Sequence, residues 1–144
     1  MYIASMNVRN TQFVFALLAA ATGVESRLNR VLSNVKGISF TEYSLLEQLS
    51  DFHNGSATRI ELARAVHLSP SAVTRALKPL EKIGYVSTKK GERDARQSVA
   101  MLTAAGKALL DDANRLVLDE IATLPVPRSA RSELISILHS LAPK

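Results

Sequence analysis

The stretch from Thr58 to Gly84 constrains this chain more than any other part of it. Thr58 is followed three residues later by Glu61, the reciprocal pair that closes off a helix start. Ile60, Leu62, Ala63 and Val66 give that helix an apolar side and carry it to Val66. His67-Leu68-Ser69 then interrupts it, with Pro70 behind. Ser69 is a good N-cap, and Pro70 suits the first helical position because its missing N–H would have no partner there anyway. A second helix is therefore predicted from Pro70 to Ile83, with Gly84 as terminator.

Beyond Gly84 the pattern changes period. Tyr85-Val86-Ser87-Thr88 has strand character, and Val99, Met101 and Leu102 mark a second short strand. Lys89 to Arg96 (KKGERDAR) lies between them as a charged, glycine-containing tip, so a β-hairpin with a long polar loop is expected. Two helices joined by a tight turn and followed by a hairpin are the layout of a winged helix-turn-helix.

The flanks read as helices. Phe13 to Val24 (FVFALLAAATGV) follows Arg9 and resembles a secretory leader, but it is too short for a membrane span of about 20 residues. Its periodicity continues past the small-residue stretch Ala19–Ala21, with Phe13, Leu17, Val24, Leu28 and Val31 on one side. An amphipathic helix from about Thr11 to Leu32 is the better reading. Thr41 is expected to cap a helix from Glu42 to about Phe52 with Leu45, Leu46 and Leu49 inward, and His53 to Thr58 reads as a turn. Thr103 caps a long helix to about Leu124, Pro125-Val126-Pro127 stops it, and a last helix runs from Arg128 to Leu141. The fold class is thus mainly α with a small β-hairpin wing. Three segments follow: a dimerisation helix at 1–36, a winged helix-turn-helix at 37–102 and further dimerisation helices at 103–144. The first helix is greasy almost all round in its early half and needs more partner surface than one small domain offers, which points to a second subunit. The competing arrangement is an intramolecular bundle.

Charge sharpens the functional reading. The chain carries a formal +5, and the segment 59–96 holds nine basic against four acidic residues. Outside it the basic and acidic side chains cancel, nine against nine, so the whole surplus sits in one stretch. A phosphate-facing surplus would be concentrated in this way. In the second helix, Ser71, Thr74, Arg75, Lys78 and Lys82 share one stripe, hydroxyls first and cations further along. That order suits a helix whose N-terminal residues reach base edges while longer basic side chains reach phosphates. Arg75 is the candidate bidentate reader of a guanine edge. Ser69 at the cap and Lys89, Lys90, Arg93 and Arg96 in the hairpin complete the candidate DNA-binding set. Read alone, such a stripe could equally be a solvated helix face.

These residues resemble the MarR (multiple antibiotic resistance regulator) transcription factors, closely over about Phe40 to Leu110 and in layout only for the flanking helices. The resemblance is carried by LARAVHLSPSAVTRALKPLEKIGYV (Leu62–Val86), by Asp94 and Arg96 at one-residue spacing, and by LTAAGKALL (Leu102–Leu110). It implies that Arg96 enters the minor groove from the wing tip, where a narrow A·T-rich groove attracts arginine. It also implies that Asp94 braces the wing by pairing with an arginine. A homodimer with interdigitated terminal helices follows, and with it a pseudo-palindromic double-stranded DNA site. Three positions depart from the family pattern. Ala95 stands where an arginine is often found, His67 replaces a common glycine in the turn, and Pro79 removes a hydrogen bond to the carbonyl of Arg75 inside the second helix.

Many such relatives respond to small anionic aromatic molecules held between the dimer helices and the DNA-binding domain. Phe13, Phe40 and Tyr43 are the candidate pocket residues, with plain core packing as the alternative. Glu47, Asp51 and His53 offer too little imidazole for a metal, and no cofactor is expected. The three histidines are scattered, and no phosphate-cradling glycine loop is present, so an enzyme is not expected. Absence of cysteine fits a reducing compartment. The expectation is a cytoplasmic, ligand-responsive repressor with no membrane partner; a winged-helix module for protein or RNA assembly is the alternative.

Overall fold

The structure is a computed structural model that describes residues 2–90 and 98–144. Among these, six α-helices and one small sheet follow in the order α1 (Tyr2–Lys36), α2 (Phe40–Asp51), β1 (Ser56–Thr58), α3 (Arg59–Val66), α4 (Pro70–Ile83), β2 (Val86–Lys89), β3 (Val99–Leu102), α5 (Ala104–Ala122) and α6 (Arg128–Leu141). No helix among the described residues is long and apolar enough to cross a membrane.

Local chemistry sets most of the boundaries. Thr58 and Glu61 form the expected capping box at α3, and the Ser69 hydroxyl accepts the Ala72 N–H at the start of α4. Each such cap is worth about 1 kcal/mol. His67 ends α3 in the left-handed conformation (φ 56°, ψ 41°), the cost foreseen for a non-glycine residue in this turn. The turn holds because the His67 N–H and the Leu68 N–H both reach the Ala63 carbonyl. Helix α4 runs unbroken through Pro79. Arg75 and Pro79 both lie on the exposed face, so the carbonyl that loses its donor can turn to water.

Two boundaries differ from expectation. Helix α2 is capped by Ser39, not Thr41: the Ser39 hydroxyl accepts the Glu42 N–H at 3.0 Å while Glu42 returns a bond to the Ser39 N–H at 2.9 Å. The hydroxyl-x-x-glutamate pattern of Thr58 and Glu61 is repeated here by Ser39 and Glu42. The first helix extends from Tyr2 to Lys36, beyond the expected Thr11–Leu32.

The sheet has an extra member. Ser56–Thr58, expected as turn, pairs antiparallel with β3 (Ser56 with Met101, Thr58 with Val99), giving the order β1-β3-β2. The base of the hairpin is closed by α5. Thr103 donates its N–H to the Tyr85 carbonyl at 3.1 Å and its hydroxyl to the Gly84 carbonyl at 2.6 Å. Gly106 is required for this approach, since a Cβ there would stand 2.1 Å from the Tyr85 carbonyl oxygen.

One core unites the three segments. Leu45, Leu46 and Leu49 of α2, Leu62 of α3, and Val73, Leu77 and Leu80 of α4 are buried. Leu28 and Leu32 of α1 and Leu109, Leu110, Ala113 and Val117 of α5 belong to the same cluster. The winged helix therefore shares its core with the inner parts of α1 and α5. Ile60 and Ile83, expected to face inward, are exposed.

Candidate nucleic-acid interface

Helix α4 divides cleanly. Val73, Leu77 and Leu80 point into the core, while Ser71, Arg75, Lys78 and Lys82 are exposed along the opposite face. Thr74 is half-buried at the border, its hydroxyl donating to the Pro70 carbonyl at 3.0 Å. Ser69 is exposed too, and its hydroxyl oxygen accepts one N–H, which leaves the proton and one lone pair to offer a ligand. Lys89 and Lys90, at the end of β2 and just beyond it, are exposed. Arg93, Asp94 and Arg96 lie outside the described residues.

None of Arg75, Lys78, Lys82, Lys89 and Lys90 belongs to a salt bridge identified among the described residues. The inner end of α1 differs. Arg27 bonds Glu120 at 2.9 Å and Thr123 at 2.8 Å, and Lys36 meets Asp112 at 3.1 Å. Arg27 and Lys36 of α1 are thus spent on α5 and its C-cap, whereas the cations of α4 and β2 face solvent. A helix face with small hydroxyls at its N-terminal end, an arginine one turn on and lysines beyond can place donors at base edges and charge at phosphates.

One cation of the basic segment behaves otherwise. Arg59 is turned inward, donating to Ser98 and standing 4.0 Å from Glu81. It cannot be counted with the phosphate-facing group. Its role was not visible in sequence, because its partners come from α4 and from the residue just before β3.

The candidate pocket residues do not converge in one chain. Phe40 and Tyr43 stack in a tilted pair with ring centroids 6.1 Å apart, packed against the core. Tyr43 donates to Asn114 Oδ1 at 2.6 Å, and its hydroxyl is pushed up to about 12 by burial and, secondarily, by the Glu47 carboxylate. Phe40 lines a cavity of about 200 Å³ with Glu25, Thr41, Ser44, Val66 and Leu68. Phe13 stands three helical turns, about 18 Å, before Glu25 on α1 and is exposed. Among the described residues no three His, Asp or Glu side chains are grouped closely enough to hold a metal ion, and Glu47, Asp51 and His53 do not form such a site.

Comparison with known proteins adds to this geometry. Residues 38–98, from the end of the first connector to the wing, match the MarR family model. Over those residues the chain is similar to MarR-family proteins. The transcriptional regulator AdcR of Streptococcus pneumoniae is 39% identical over 57 residues, an alignment that covers 40% of this chain and only 39% of that regulator. Solved structures extend the likeness to the whole fold. A MarR-family regulator of Streptomyces coelicolor, Sco3205, in complex with DNA, is 25% identical with a TM-score of 0.74, over 90% of this chain and 84% of its own. CouR of Rhodococcus jostii RHA1, bound to p-coumaroyl-CoA, is 22% identical with a TM-score of 0.77, over 90% of each chain. The likeness in fold therefore reaches well beyond the winged helix.

Proposed function

We propose that this protein is a sequence-specific, DNA-binding transcriptional regulator that acts as a homodimer on a pseudo-palindromic operator. The observation that carries the reading is the solvent-facing row Ser71, Arg75, Lys78 and Lys82 on α4, with Lys89 and Lys90 of the adjoining strand, none of whose cations is in a salt bridge among the described residues. Sco3205, a relative of the same fold, was solved in complex with DNA. Residues 37–102 would read the duplex and the flanking helices would join two copies. The wing residues Arg93 and Arg96 would add minor-groove contacts, with Asp94 as brace.

The dimer reading rests on unburied apolar surface. Phe13, Val14, Phe15 and Leu18 of α1 are exposed, as are Ile135, Ile137 and Leu141 of α6. An almost wholly apolar groove of about 420 Å³ runs between α1, α5 and α6, lined by Val24, Leu28, Ile121, Leu124 and Leu138 among others. Patches of this kind on a soluble chain mark association, and two copies related by a two-fold axis would cover each other's.

Repression would follow from operator occupancy, and relief from a small aromatic or anionic effector, in a cytoplasmic setting. The cavity at Phe40 lies between α1 and the winged helix, where a ligand could bias the arrangement of the two reading heads. Such a ligand must bind one arrangement better than the other to shift anything. CouR, with the same fold, holds p-coumaroyl-CoA. The chemistry on α4 is that of binding, not turnover.

The decisive experiment is binding to the DNA upstream of the protein's own gene against scrambled DNA, over a salt series. Specific recognition gives affinity at least about 10³-fold above non-specific DNA and a steep salt slope. Arg75→Ala should lose about 1–3 kcal/mol and relax the preference at one base pair. Equal binding to both DNAs overturns operator recognition and favours a protein- or RNA-assembly module.

A further inference from the structure

Arg59 is the first residue of α3, yet its guanidinium reaches Ser98 and Glu81, both outside that helix. Nη1 donates to the Ser98 hydroxyl, which is buried just before β3. Nη2 stands 4.0 Å from Glu81 Oε1 on α4, and the same Glu81 oxygen accepts the Thr88 hydroxyl on β2. The third strand explains how this arises. Pairing Thr58 of β1 with Val99 of β3 in an antiparallel ladder puts the next residue, Arg59, opposite Ser98.

The position of the cluster matters as much as its bonds. The hairpin is fixed at its base, where Thr103 grips Gly84 and Tyr85. Thr88 and Ser98 lie at the far end of the described ladder, beside the Lys89–Val99 pair. Short ribbons twist readily, so a brace there controls where Lys89 and Lys90 sit far better than a brace at the base. Glu81 belongs to the helix that carries Lys78 and Lys82, one position from the latter. Through a single carboxylate, the direction of the ribbon is referred to the direction of that helix.

We propose that Arg59 is a positioning residue of the DNA interface: with Glu81, Thr88 and Ser98 it fixes the angle between α4 and the wing, so that both groups of cations meet one duplex together. This rests on the DNA-binding reading above. Two grooves can be engaged at once only if the two modules keep their relative orientation, and a rigid reader loses less entropy on binding than a loose one. A charge-assisted network of this type is cooperative, so its members should not act independently.

The test has one arm without DNA and one with it. The chain contains no cysteine, so Lys90→Cys and, separately, Lys82→Cys each give a single attachment point for a spin label. Arg59→Ala should speed the motion of the label at position 90 and leave the one at position 82 unchanged. In a variant that keeps its native helical content, equal loosening at both positions would overturn the proposal, as would a label at 90 that does not respond. On operator DNA, the paired change Lys89→Ala and Lys90→Ala should weaken binding about tenfold beside the native Arg59. In the Arg59→Ala background the same change should cost less than about twofold, because an unbraced wing contributes little to lose. Losses that simply multiply would reject the coupling. If Arg59→Ala does not fold, Thr88→Val with Ser98→Ala removes the wing ends of the network without touching α3, and the same two outcomes apply. A native protein that ignores its upstream DNA removes the regulator reading, whereas the label experiment still reports on the brace.

Discussion

Leu32 near the end of α1 is wholly buried in the common core, whereas Phe15, almost five turns earlier on the same helix, is 71% exposed. The inner part of α1 is tied to α5 by Arg27 with Glu120 and by Lys36 with Asp112. The outer part, and all of α6, carry apolar side chains of the same kinds with little protein against them. Amino-acid type does not separate these regions; available partner surface does. A single chain has enough neighbouring elements to bury one end of a 35-residue helix and not the other. The hydrophobic effect is proportional to area removed from water, so the outer surface stabilises nothing until another molecule covers it.

The sharpest break between the two regions should come from truncating their side chains. Leu77→Ala, in the core where the native side chain has no exposure, is expected to cost about 2–5 kcal/mol in urea unfolding. Leu134→Asp with Leu138→Asp on α6 should instead raise the dissociation constant of the proposed dimer at least about 100-fold, read by analytical ultracentrifugation, with the helical content of the winged helix retained. If those α6 changes unfold the chain as Leu77→Ala does, the outer helices are part of the core after all.

Gly106→Ala probes the seam where α5 meets the wing. The added methyl collides with backbone at Tyr85, not with a side chain that could swing away, so a loss of about 1–3 kcal/mol is expected in thermal or urea unfolding. The smallest effect concerns Tyr43, which sits on the boundary between core and solvent. Its hydroxyl titrates near 10 in the unfolded chain and at about 12 when folded, because burial, and then Glu47, disfavour the phenolate. Above pH 10 the unfolded state therefore binds fewer protons than the native one, and stability should fall as pH rises through the interval from 10 to 12. Tyr43→Phe should flatten that decline. A decline of unchanged steepness would assign it to other groups.

Several features of the fold could be read directly from neighbouring residues. The caps at Thr58, Ser69 and Thr103, the left-handed turn at His67, the stop at Gly84 and the whole span of α6 each depend on chemistry within about four positions. The exposed row on α4 was legible for the same reason, since helical periodicity assigns a face without reference to the rest of the chain. What escaped notice depends on distant partners. Ser56–Thr58 looks like a turn until Val99–Met101 is laid beside it. Ile60 and Ile83 fit an apolar pattern, but no element packs over them. The choice of Ser39 over Thr41 shows a local miss of another kind, where two hydroxyls competed and the one with a glutamate three residues on prevailed.

By itself, the order of residues determined the two short helices, their tight junction, the hairpin and the cationic face, because each is fixed by interactions spanning a turn or two of chain. Tertiary structure alone decided which apolar surface would be buried and which cation would turn inward. Arg59 resembles its basic neighbours in composition and differs from them only because a third strand carries it past Ser98 and Glu81. Burial and pairing are properties of what lies across a gap in space, and that neighbour is not written in the adjoining residues.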